Sequence, residues 1–171
     1  MEFDHVRPRD VVVAGAIGGL VAGIPSTAYA LATRRDPFEA SVAAGTLVLP
    51  GERRPIVLLA AALPVHAALS VGWAGVLAAV PLRRRTAKAG AGGAAGAPGA
   101  ARAAAIGAAA GLAIAAVDLG LVGRRFPRIR ALPLLPQVAD HVAYGSTVGW
   151  VLARRRGGGV RRDPRDVTTN W

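Results

Sequence analysis

Charged residues are absent between Val11 and Thr33 and return as Arg34-Arg35. This alternation of a long uncharged run with a short basic cluster repeats along the chain. At ~1.5 Å per residue the run over 11–33 makes a helix of ~34 Å, enough to cross a hydrocarbon layer of ~30 Å. Comparable apolar runs follow over about 55–82, 103–123 and 132–153, the last two carrying one acid each, Asp118 and Asp140. Lipid offers no water to bond peptide groups, so each segment must satisfy its own backbone by coiling. The expected fold class is therefore an all-α membrane protein, a bundle of four transmembrane helices within a single domain over 1–155.

The gaps carry their own signals. Asp36-Pro37-Phe38-Glu39 reads as a helix start, with an Asp cap, Pro in the first turn and Glu three residues after the cap. Pro50-Gly51 ends that helix. A helix over 36–49 spans only ~20 Å, so it is expected to lie at the interface or dip inward as a re-entrant piece. Residues 86–100 are small and glycine-rich without apolar periodicity, which predicts a flexible linker. Gly90, Gly92 and Gly96 miss the dinucleotide-binding spacing by one residue and follow no strand. The Arg- and Gly-rich stretch over 156–171 is expected to be a disordered basic tail. Arg7 and Arg9 before an apolar run, with Ala28-Tyr29-Ala30 beyond, also fit a cleaved signal peptide. The run continues past that site and acids lie among the N-terminal charges, which favours a retained span.

Composition sharpens the picture. Hydrophobic residues make up 53% of the 171-residue chain and the mean hydropathy is +0.39, above the usual range for soluble domains. The net charge of +11 raises nucleic acid as a partner, but the arginines sit in short runs beside apolar segments, as membrane anchors do. Aromatics are only 5%, too few to interleave with a basic groove, so no nucleic acid is expected. Of the 21 basic residues, 13 lie in the N-terminal segment, the linker region and the tail. That bias puts both termini in the cytoplasm of a multi-pass protein of the cytoplasmic membrane. A single lysine amid abundant Ala, Gly and Arg suggests a GC-rich bacterial genome. No cysteine is present, which excludes disulfides, thiol nucleophiles and thiolate metal sites.

Small residues recur at four-residue spacing: Gly15, Gly19 and Gly23, then Gly107 and Gly111, then Gly145 and Gly149. In lipid such faces let backbones approach closely, so these glycines are expected to pack helices together. The first and third runs, and the second and fourth, also share short patterns, among them Leu-Pro at 63–64 and 135–136 and Gly-Trp at 72–73 and 149–150. This suggests a duplicated two-helix hairpin.

One constellation of polar residues offers chemistry. Asp118 precedes the third loop by ~9 Å, while Asp140 and His141 follow it by ~11 Å on the adjacent span. Ser26, Thr27 and His66 fall at similar depth in the first hairpin, with Tyr144 and Thr147 one and two turns beyond Asp140. An isolated carboxylate at a helix centre in lipid costs ~2.5–3.5 kcal/mol, so these groups should face inward and pair. The expected pairing sets one or both carboxylates against His66 and His141, holding a proton-binding equilibrium near neutral pH. The competing expectation is structural: Asp118 snorkels towards Arg124 or Arg125, and Asp140 with His141 caps or bridges helices. No H-E-x-x-H or G-x-S-x-G occurs, and His141 and Ser146 do not share a helix face. No catalytic residue, metal site or cofactor is predicted.

The stretches GIPSTAYALATRRDPF and RRFPRIRALPLLPQVADHVAYGSTVGW, with the following RRR, resemble small, uncharacterised four-span proteins of bacterial cytoplasmic membranes. The resemblance implies the four-span fold and no activity. Two functions follow as expectations. The first is a structural or interaction protein, homo-oligomeric or an accessory subunit of a larger membrane complex. The second is a small transporter or proton-linked permeation unit built on the Asp/His cluster.

Overall fold

The long apolar runs coil into helices, the first of them interrupted at Gly23. The computed structural model describes residues 6–79 and 97–158, and no strand occurs among them. Most of the expected linker and tail lies outside the described residues. In chain order the elements are α1 (Pro8–Ala22), α2 (Ile24–Ala32), α3 (Glu39–Gly45) and α4 (Pro55–Ala79), then α5 (Ala97–Val117), α6 (Pro127–Arg130) and α7 (Leu134–Gly158). A single π turn, Asp118–Val122, and a 3-10 turn, Gly123–Arg125, extend α5. Helix α5 thus starts inside the expected linker 86–100, because Ala97 to Ala101 are helix-compatible and Pro98 sits in a first turn, where its missing N–H is harmless. The short helix expected over 36–49 contracts to Glu39–Gly45. Asp36 caps a preceding turn instead, its Oδ1 accepting from the Phe38 N–H at 2.8 Å.

Three helical runs, Pro8–Ala32, Pro55–Ala79 and Gly99–Arg125, are long and apolar enough to cross a membrane. The fourth long helix, α7, is long enough but carries Gln137, Asp140, His141, Ser146 and Thr147. Its position explains the difference. α7 packs against α5 on one side and α1–α2 on the other, while α1 continues to α4 and α3 rests on α4. A central helix faces neighbours on both flanks, so its polar groups find protein partners where an outer helix would offer them to lipid.

Small residues share the interior with larger ones such as Leu58 and Val148, while other large apolar side chains are exposed. Alanines and glycines fill much of the interior, with Ala14, Ala43 and Ala74 fully buried. Large apolar side chains point outward: Leu20 is 81% exposed, Leu135 80%, and Ile56 and Leu63 73%. In water each would forgo roughly 1.5–3 kcal/mol of burial, whereas beside acyl chains nothing is lost. The charges collect at the two ends. Arg155 Nε meets Asp10 Oδ1 at 2.7 Å at one end, and Arg128 Nε meets Glu39 Oε1 at 3.3 Å at the other.

The closest contact joins α5 to α7. A Cβ on Gly107 would strike the Gly145 carbonyl, one on Gly111 the His141 carbonyl, and one on Gly149 the Ala103 carbonyl. Between α1 and α4 the glycines lie on one partner only. A Cβ on Gly15 would come within 2.8 Å of the Ser70 carbonyl oxygen, and one on Gly19 within 2.7 Å of Ser70 Oγ. Gly23 departs from the expected packing role. A Cβ there meets nothing within 4 Å, because the residue sits at the junction of α1 and α2.

Candidate functional site

That junction organises the polar residues. Pro25 has no N–H to continue the helical ladder, and the chain breaks between Ala22 and Ile24. A helix end leaves carbonyls unsatisfied in the last turn before it and N–H groups unsatisfied in the first turn after it. One group of each kind is met by a side chain from another helix. His66 of α4 places Nε2 3.1 Å from the Gly19 carbonyl oxygen, in the last turn of α1. Because a carbonyl only accepts, Nε2 carries the hydrogen. Asp140 of α7 accepts the Ser26 N–H at 2.8 Å through Oδ1, in the first turn of α2. Asp140 is thus an N-cap supplied by a neighbouring helix, and its negative charge faces the positive end of the α2 dipole.

Of the expected pairings of one or both carboxylates with His66 and His141, the structure brings together Asp118 and His141, while Asp140 takes the capping role of the competing expectation. Asp140 and His66 bond backbone groups across the break, since peptide groups that lose their ladder partners are the strongest unmet demand at that depth. Ser26 contributes its N–H to Asp140, while its hydroxyl reaches back to the Gly23 carbonyl at 3.4 Å. Thr27 is exposed and stands apart from the cluster.

Among the described residues, only one histidine, His141, pairs with a carboxylate. Its Nε2 lies 3.4 Å from Asp118 Oδ2, and its Nδ1 lies 2.8 Å from the Gln137 carbonyl oxygen one turn earlier. The Gln137 carbonyl can only accept, so Nδ1 bears a hydrogen. A carboxylate facing a bare Nε2 would set lone pair against lone pair. The two side chains lie within reach of one shared hydrogen bond. Asp118 opens the π turn, a local widening common where helices carry function. Asp140 and His141, adjacent on α7, thus serve the irregular turns of two different neighbours.

Tyr144, one turn beyond, donates its hydroxyl to the Ser70 carbonyl of α4. Its ring crosses α1 at Gly18, where a Cβ would come within 3.1 Å of it. Gly18, Ser70 and Gln137 stand outside the residues expected from sequence. The adjacent Gly18-Gly19 and the i, i+4 spacing of Gln137 and His141 were the available signals. Asp118 has no ion pair with Arg124 or Arg125 among the described residues.

A cleft of about 310 Å³ opens at the loop end of this layer, lined by Ser26, Tyr29, Arg35, Asp36, Glu39 and Gln137 among others. Ser26 and Gln137 link it to the Asp140 and His141 contacts. In the water-facing loop beside α3, Glu52 is held at about 2 by Arg54, whose guanidinium bonds it at 2.8 Å, and by the Arg53 and Arg54 N–H groups. No group of three or more His, Asp or Glu side chains suited to a metal ion occurs among the described residues. Comparison of the chain with protein-family models, with curated proteins and with solved structures finds no match.

Proposed function

We propose that the chain is a multi-pass protein of the cytoplasmic membrane, with α7 as a fourth span and both termini cytoplasmic, acting as a packing or accessory subunit. The reading rests on one observation: four of the intramembrane polar side chains are engaged in bonds between helices. His66 joins α4 to α1, Asp140 joins α7 to α2, Tyr144 joins α7 to α4, and His141 joins α7 to the turn after α5. Such bonds fix a rigid shape and supply no nucleophile or acid–base pair aimed at a substrate. A bundle of this kind suits association with a second copy or a larger membrane assembly.

A second reading, proton-linked permeation, is favoured by the Asp118–His141 pair, which lies 3.4 Å apart next to Gln137, a residue that lines the cleft. Reconstitution into liposomes holding a pH-sensitive dye separates the two. The accessory reading expects no protein-dependent proton flux under a pH gradient of either sign. Flux that disappears in Asp118→Asn while the protein still inserts would transfer the assignment to the second reading.

A further inference from the structure

The outward side of the α5–α7 contact carries a groove of about 450 Å³, of the order of one long acyl chain. Leu112, Ala115, Ala116 and Gly120 line it from α5 and the π turn, Leu134 lines it from α7, and Arg124 joins the same lining. From Leu112 to Arg124 a helical path covers ~18 Å, close to the ~15 Å depth of one leaflet of a ~30 Å hydrocarbon layer. The groove thus runs from headgroup depth to near the bilayer middle.

Its two ends differ in chemistry. Gly120 leaves the wall bare, since a Cβ there meets nothing within 4 Å. Leu112 and Leu134 are 52% and 66% exposed and offer apolar contact along the length. At the other end Arg124 forms no ion pair among the described residues, and no acidic side chain lines the groove. A guanidinium at headgroup depth is matched in charge and geometry by a phosphate, and basic recesses between membrane helices hold anionic headgroups in this way.

We infer that this groove binds one anionic phospholipid, its phosphate on Arg124 and one acyl chain along Gly120 towards Leu112, in the leaflet opposite the Asp10–Arg155 end. The inference rests on the membrane-spanning reading above. The test is thermal unfolding of the full chain in mild detergent with added phosphatidylglycerol or phosphatidylcholine. Phosphatidylglycerol should raise the midpoint by roughly 5 °C more than phosphatidylcholine at saturating lipid. Arg124→Gln should abolish that difference by removing the charge, and Gly120→Leu should abolish it by filling the groove. Both variants should keep the wild-type midpoint in detergent alone, because neither position contacts the packed interior. Equal shifts from the two lipids, or a difference that survives in Arg124→Gln, would overturn the inference. So would a dimer on size-exclusion chromatography that Gly120→Leu dissociates, since a second copy would then occupy the groove. A chain that stays dissolved without detergent would instead sink the membrane reading itself, an outcome distinct from a lack of lipid preference.

Discussion

The α5–α7 contact and the broken α1–α2 helix hold this molecule together by opposite means. Between α5 and α7, glycines on both helices bring backbone against backbone, so the contact is built from dispersion and weak Cα hydrogen bonds. At the α1–α2 junction a helix is interrupted, and polar side chains from α4 and α7 repair the exposed peptide groups. The first device is geometric and tolerates no added atom. The second is chemical and demands specific acceptors and donors. On the proposed membrane reading neither can lean on the hydrophobic effect, because acyl chains are as apolar as the protein.

The largest expected effect lies in the glycine contact. Gly107→Ala puts a Cβ onto the Gly145 carbonyl, where no flexible side chain can yield. It should destabilise the fold by about 3 kcal/mol in detergent unfolding. Gly23→Ala, with open space around it, should change stability by less than about 0.5 kcal/mol in the same assay. Similar values for the two variants would mean that close approach is not what holds α5 to α7.

Next in size is the repair of the break. Asp140→Ala leaves the Ser26 N–H without its acceptor and should lose about 1–3 kcal/mol. Asp140→Asn keeps an acceptor oxygen and should recover most of that loss. Equal stability of all three proteins by chemical unfolding would show that water or lipid headgroups reach Ser26, and that the trans-supplied cap is dispensable.

The smallest effect is expected outside both regions. Glu52 is lowered from 4.5 to about 2 by Arg54 and the loop N–H groups. A depressed carboxylate contributes stability that is complete above about 4.5 and is lost as pH falls through about 2. Glu52→Gln should remove only this acid-range component, seen as a flatter unfolding profile between pH 5 and pH 2, and leave the neutral-pH midpoint nearly unchanged.

Much of this was legible in the residues. Arg34-Arg35 marked the end of the first run, and the structure stops the helix there with Arg34 at a φ of 55° and the Arg35 N–H bonded to the Ala30 carbonyl at 2.8 Å. The depths of Asp118, Asp140, His141 and His66 could be counted, since helical rise is fixed. Their partners could not. Pro25 sits in an uninterrupted apolar run, and only its effect on the backbone creates the unsatisfied groups that claim Asp140 and His66. The polarity of α7 was likewise visible, but not that α7 is central and therefore able to carry it.

The sequence by itself determined that this chain is helical and roughly where its long apolar runs lie, because charge, proline and peptide hydrogen bonding act within a few residues. Tertiary structure alone decided which helix faces which, that His141 rather than His66 meets a carboxylate, and that a break in one helix is capped by two others. Those outcomes depend on which surfaces meet across the bundle, and spacing along one helix fixes a face without fixing its neighbour.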